Sequence, residues 1–183
     1  MIRSLRLILP LLAGALWAQP LKLHIDPAQT AVEYSVGSTL HTVHGTFKLK
    51  RGDFTFDPAT GKASGELVVD AGSGESGSAA RDRRMNESVL ESARYPEIVF
   101  RPDRVDGKVA VSGHSQVQVH GTFALHGADH EMVVPVTVDG DGGAYTASAT
   151  FTVPYIKWGL KNPSTFILRV NDKVEITVKT IGR

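Results

Sequence analysis

Ser78-Ala79-Ala80-Arg81-Asp82-Arg83-Arg84-Met85-Asn86-Glu87-Ser88-Val89-Leu90-Glu91-Ser92-Ala93-Arg94-Tyr95-Pro96-Glu97-Ile98-Val99-Phe100 is the one stretch of this chain that breaks a run of strands. Ala, Arg, Met, Glu and Leu, all good helix formers, fill its first part, and β-branched residues are nearly absent there. Ser88-Val89-Leu90-Glu91 has the Ser-x-x-Glu form of a capping box and predicts a second short turn starting at Ser88. Pro96 disfavours a helical Tyr95, and Ile98–Phe100 reads as a strand. The apolar residues of the helical part (Ala79, Ala80, Met85, Val89, Leu90) are few and small. A helix this short is unstable alone and must lie on an apolar surface. In an all-β chain that surface is the open mouth of a sheet structure.

Working outward, both flanks alternate with period two. Upstream, Val32, Tyr34 and Val36 share one face, as do Val43, Gly45, Phe47 and Leu49, with Thr42, His44, Thr46 and Lys48 opposite. Phe54 and Phe56 repeat the alternation before the turn Asp57-Pro58-Ala59-Thr60-Gly61, where Pro presets φ and Gly accepts a positive one. Leu67 and Val69 mark the next strand, and Gly72-Ser73-Gly74-Glu75-Ser76-Gly77 reads as a mobile connection into the helix. Downstream, Val105-Asp106-Gly107-Lys108 signals a hairpin. Val109 and Val111, then Val117, Val119, Gly121, Phe123 and Leu125, hold one face. Further strands follow through Met132–Val138, Tyr145–Val153, Phe166–Val170 and Val174–Val178. Eight or nine antiparallel strands can close on themselves and leave room for one small ligand. A two-sheet sandwich is the alternative, but its filled centre would leave the helix nothing to cover. Val43-His44-Gly45-Thr46-Phe47 recurs as Val119-His120-Gly121-Thr122-Phe123, each Gly standing where a strand bends or something approaches closely.

Composition narrows the functional classes. Lys and Arg number 20 against 19 Asp and Glu, a balance unsuited to a nucleic-acid surface. There is no Cys, so the fold has no disulfide. Arg3 and Arg6 precede an apolar run, Leu7–Leu16, that is too short to span a bilayer, so residues 1–18 read as a secretory signal. Cleavage after Ala18 is preferred to Ala15; a retained anchor with Leu16-Trp17 at the membrane interface is the other reading. Residues 19–183 then form one domain, expected in the periplasm or secreted.

No catalytic or metal motif emerges. His41 and His44 fall on opposite faces of a regular strand, and His44 and His120 fall on polar faces, so solvated surface is the simplest reading. No Gly-x-Ser-x-Gly elbow stands at a strand-to-helix junction, and no carboxylate pair sits on an apolar face. Arg81-Asp82-Arg83-Arg84 could meet a phosphate-bearing head group. A solvated face is the plainer reading, and Arg81 and Asp82 could instead tie the helix to the barrel rim.

Arg81-Asp82-x-x-Met85, Leu90 and Tyr95-Pro96-x-x-x-Phe100 resemble the signature of the YceI-like family of lipid-binding proteins. Val43-x-Gly45-x-Phe47 and Phe54-x-Phe56-Asp57 look like its early strands, and Gly121-x-Phe123-x-Leu125-His126-Gly127 like its central hairpin. Trp158-Gly159 is similar to its aromatic-Gly turn, and Asn171-Asp172-Lys173-Val174-Glu175-Ile176 to its closing strand. The likeness runs from about Ala31 to Val178. It departs at Gly37, where the family often has His, in the Gly- and Ser-rich run before Arg81, and at Tyr155-Ile156-Lys157. All three departures bear on the head-group end.

The resemblance implies an antiparallel, lipocalin-like extended β-barrel of about eight strands, with one short helical segment over the mouth. It also implies a tunnel that accommodates a polyisoprenoid chain, polyprenyl or quinone-type, in a carrier or storage role. No cofactor, metal or catalytic activity is expected, and the partners are an apolar lipid and, transiently, a membrane. The expected lining is Tyr34, Val43, Phe47, Leu67 and Val69 from the early strands, and Met85, Val89 and Leu90 from the helix. Phe100, Phe123 and Phe151 complete it, with Arg81 and Arg84 meeting a polar head. A structural or interaction module would instead have a packed centre. An isomerase- or hydrolase-like barrel would need an inward ionisable group such as His41 or Glu66.

Overall fold

The computed structural model describes residues 19–183, so the expected signal segment lies outside the described residues. Period-two patterning becomes nine strands: β1 (Leu21–His24), β2 (Ala31–Gly37), β3 (Thr42–Phe56), β4 (Ala63–Glu75), β5 (Glu97–Asp106), β6 (Ser112–Leu125), β7 (Ala128–Asp141), β8 (Tyr145–Val153) and β9 (Val174–Gly182). One helix, α1 (Ala79–Arg84), interrupts them between β4 and β5 and runs into a π turn, Met85–Val89.

All pairings between strands are antiparallel, in the order β1-β3-β2-β9-β8-β7-β6-β5-β4, and β4 returns to β3 to close the sheet. Nine strands make an eight-membered ring because β1 and β2 share one slot. β1 pairs with Asp53–Phe56 of β3, and β2 with Thr42–Phe47 of the same strand. The break between them is a 3-10 turn, Pro27–Gln29, whose Ala28 N donates to Asp26 Oδ1 at 2.8 Å. The barrel class expected from the sequence is therefore the one formed, and closure removes the edges at which an open sheet would aggregate.

Two bulges explain changes in the apolar phase. Inward residues of β3 are odd-numbered through Leu49 and even-numbered from Phe54. A register shift between Leu49 and Arg51 inserts the extra residue. The shift between Pro102 and Arg104 does the same for Phe100 and Val105 on β5. The two echoed glycines share one role. A Cβ on Gly45 would strike the Tyr34 ring, and one on Gly121 would come within 2.9 Å of Phe100 Cζ, so each lets an aromatic ring of a neighbouring strand lie across it.

Four local expectations are corrected. The run Gly72–Gly77 is not a loose connection: β4 continues to Glu75, which pairs with Thr46, and Ser73 Oγ accepts the Lys48 N–H at 2.8 Å. Gly74 serves packing there, because a Cβ would collide with Met85 Cε and come 2.8 Å from Phe47 Cε1. Ser88 caps nothing, since it lies inside the π turn closed by Leu90 N to Met85 O at 2.8 Å. The next turn starts instead at Glu91, held at φ 47°, whose carbonyl accepts from Arg94 N and Tyr95 N. Finally, Phe166–Val170 is not a strand. A turn closed by Thr165 N to Leu168 O (2.8 Å) throws Phe166 and Ile167 outward, leaving one bridge, Ser38 to Val170. Val111 likewise precedes β6 and is exposed.

Candidate ligand-binding interior

The inward rows do not meet along the axis. They leave a deep chamber of about 230 Å³ and, beneath the helical segment, a mouth chamber of about 510 Å³. Phe47, Ile98, Phe123 and Ile176 line both, so they form a waist that the two chambers share. Among the described residues, the wall of the deep chamber, which includes Leu67, Val69, Phe100 and Phe151, carries no charge. The mouth chamber takes Tyr34 and Val43 from the early strands, and Arg81, Arg84, Met85, Val89 and Leu90 from the helical segment. Every residue read from the sequence as lining thus faces one chamber or both.

Rings set the cross-section. Tyr34 and Phe47 sit with centroids 5.4 Å apart, and Phe123 and Phe151 at 6.2 Å. Burial holds the Tyr34 hydroxyl above its ordinary pKa; a hydrogen bond with Ser76 pulls the other way, and Asp82 adds to the rise. That keeps this polar atom uncharged beside apolar walls.

The helical segment is fixed at both ends. At its start, Ser76 N donates to Asp82 Oδ1 at 2.9 Å, and Ser76 Oγ makes a short bond to the same oxygen. Arg81 donates through Nε to Ser76 Oγ and through an Nη to Ser76 O, both at 2.7 Å. Of the three roles the sequence left open for this pair, these bonds make the tie to the rim. Because α1 is only six residues long, this tether and apolar burial must hold it. At its far end Val89 and Leu90 are buried against Leu125, Val153, Tyr155 and Leu160. Tyr155 is locked by a 2.6 Å bond from its hydroxyl to Asn171 O, and burial, then nearby Asp172, pushes its pKa up to about 12.

Outside the mouth chamber, Arg83, Arg84, Glu87 and Lys161 surround a polar hollow of about 330 Å³ between the helical segment and residues 161–163. Arg84 borders both spaces.

Glu66 points outward, accepting from Arg51 Nε at 3.1 Å. His41 lies on the mouth-chamber rim and is exposed. Among the described residues no group of three His, Cys, Asp or Glu is placed to hold a metal. What the interior offers is apolar enclosure.

Residues 153–170 contribute a wall that strand periodicity does not announce. Val153, Tyr155, Leu160 and Leu168 wall the mouth chamber. The alternation Leu168-x-Val170 carries the inward signal, although the segment is a loop and not the expected strand. β1 was also missed, although Leu21 and Leu23 alternate and line the deep chamber.

A family model described as a YceI-like domain matches residues 23–181. A UPF0312 protein of Pseudomonas savastanoi pv. phaseolicola is 33% identical over 129 residues, which are 66% of this chain and 65% of that relative's length. A second, from Pseudomonas putida, is 29% identical over 161 residues, 82% of this chain and 81% of its own. Among solved structures, Burkholderia cenocepacia BcnA superposes with a TM-score of 0.71 at 20% identity, covering 86% of this chain and 98% of that one. A polyisoprenoid binding domain from Saccharophagus degradans gives a TM-score of 0.65 at 15% identity, covering 88% and 97%. At these identities the structural likeness speaks for the fold.

Proposed function

Because this chain belongs to the YceI-like domain family, we propose that it holds a long isoprenoid, polyprenyl or quinone-type, along the axis of its barrel, as an exported carrier or store. The observation that carries this reading is the pair of apolar chambers that share one ring of wall residues, Phe47, Ile98, Phe123 and Ile176. A globular core normally packs to crystal-like density, and a hollow this long forfeits dispersion contacts that a flexible chain would restore. The mouth chamber is within the ordinary range for ligand sites, about 300–1,000 Å³.

The energetics favour length over head-group chemistry. Each buried methylene contributes about 0.8 kcal/mol, and micromolar affinity needs about 8 kcal/mol. A few enclosed isoprene units reach that after association and ordering costs. The ligand's polar end belongs at the mouth, near Arg84 and the Tyr34 hydroxyl, since the deep chamber has no charged wall residue. The polyisoprenoid-binding description of the Saccharophagus degradans domain supports the same ligand class.

Native mass spectrometry of protein purified from membrane-containing cells tests this. Bound masses that extract into organic solvent as prenyl lipids are expected. A homogeneous apo mass that persists after prenyl-lipid addition rejects the proposal.

A further inference from the structure

We infer that the open end of the barrel docks on an anionic phospholipid bilayer, through two apolar loop tips set among cations. Residues 38–41 and 161–170 stand side by side at this end. Thr39 N donates to Arg169 O at 3.0 Å, Asn171 N donates to Gly37 O at 2.9 Å, and Ser38 bridges Val170. Their tips present Leu40, Phe166 and Ile167 at 74%, 98% and 85% exposure. Single exposed apolar residues are ordinary, but three large ones on adjoining tips form a patch that marks an interaction surface. Among the described residues, the other two exposed large hydrophobics lie apart, Val111 at the opposite end and Val133 on the outer wall, paired with His120.

Charge selects the occupant. Arg83, Arg84 and Lys161 line the hollow at the same rim, with Glu87 as its one acid, and Arg169 follows directly on the tip. Asp82, the other carboxylate of residues 79–89, is occupied by Ser76. The chain as a whole carries only +1, so this is a local concentration of positive charge. Apolar side chains flanked by Arg and Lys match the headgroup–acyl boundary of an anionic leaflet, where phosphates receive the cations. A second copy seated symmetrically on the same patch would set these cations against themselves. The mouth chamber opens between the same loops, with Ser38, Pro163, Thr165 and Leu168 in its wall. Docking there lets an apolar ligand pass between bilayer and barrel without crossing water.

Vesicle co-sedimentation of the mature protein, with phosphatidylcholine alone or mixed with phosphatidylglycerol, tests the inference. Binding to mixed vesicles should be about tenfold or more tighter than to neutral ones and should weaken with salt. F166D/I167D should lose about tenfold or more of that binding, and R83E/K161E/R169E should lose it on mixed vesicles only. These side chains are exposed, so an unchanged unfolding midpoint verifies each fold, and L40D gives an independent tip variant. Failure of the unsubstituted protein to bind mixed vesicles, or undiminished binding by F166D/I167D and L40D, overturns the inference. So does a concentration-dependent dimer that F166D/I167D abolishes, since the occupant is then a second copy. Bound lipid retained in a protein that fails to dock would refute docking and leave the proposed function standing.

Discussion

At the scale of single residues, the glycines on inward faces decide how closely the walls and the helical segment approach. Gly74 has Met85 and Phe47 packed where its side chain would be. Gly74→Val is predicted to displace Met85, lower stability by about 1–3 kcal/mol and speed lipid release. Chemical denaturation and a lipid-transfer assay measure the two effects. Tyr155 supplies a pH test. Its raised pKa means that the unfolded chain loses this proton near pH 10 while the folded chain keeps it to about 12. The unfolded state binds fewer protons in that window, so this contribution to stability is present below pH 10 and lost as pH rises towards 12. Tyr155→Phe is expected to cost about 1 kcal/mol at neutral pH, from the lost bond to Asn171 O, and to flatten the alkaline decline. Parallel urea titrations at neutral pH and between pH 10 and 12 compare the two proteins. Glu97 works in the opposite direction. Arg51, then Lys50, lower its pKa, so its contribution is present above the ordinary carboxylate range and fades as pH falls through the lowered value. Its ion pairs are solvent-screened, and the effect is small.

At the scale of elements, the helical segment is held by polar bonds at one end and apolar burial at the other. Asp82 takes two donors from Ser76, and Arg81 gives two to the same residue. Asp82→Ala leaves those donors unanswered, and a loss of about 1–3 kcal/mol is expected. Hydrogen exchange should localise the loosening to residues 76–90 and leave β6 and β7 protected. Equal loss of protection throughout the barrel would show that the tether belongs to the global fold instead. The π turn at Met85–Val89 adds a residue to the helix and helps bring both Met85 and Val89 to the mouth chamber.

At the scale of the whole molecule, the proposed function makes ligand length the variable that distinguishes the two chambers, which share a waist. Ile176 borders both, and Ile176→Trp is predicted to obstruct passage between them. Long prenyl chains should then be lost, while short ones that fit within the mouth chamber remain bound. Native mass spectrometry with prenyl lipids of graded length reads this out, and unchanged retention of the longest chain would show that the deep chamber is not used. Overpacking of this kind costs about 1–3 kcal/mol, so the unfolding midpoint should be followed alongside.

Period-two alternation alone determined which side chains of most strands face inward, because a residue's face follows directly from its parity along the strand. Residue propensity also located the helical segment between β4 and β5, although it ends at Val89, well before Pro96. Three things were decided only by the tertiary structure. Alternation at Leu168 and Val170 was real, yet with only a single bridge to pair them they became a loop that walls the mouth. The glycines of residues 72–75 looked like a flexible run, but strand pairing and the approach of Met85 made them part of a wall. Whether inward rows meet depends on ring diameter, strand tilt and the rotamers of opposing side chains, which are properties of closure that no local pattern contains. The hollow is therefore a product of the assembled barrel, while the apolar character of its walls is written residue by residue along the chain.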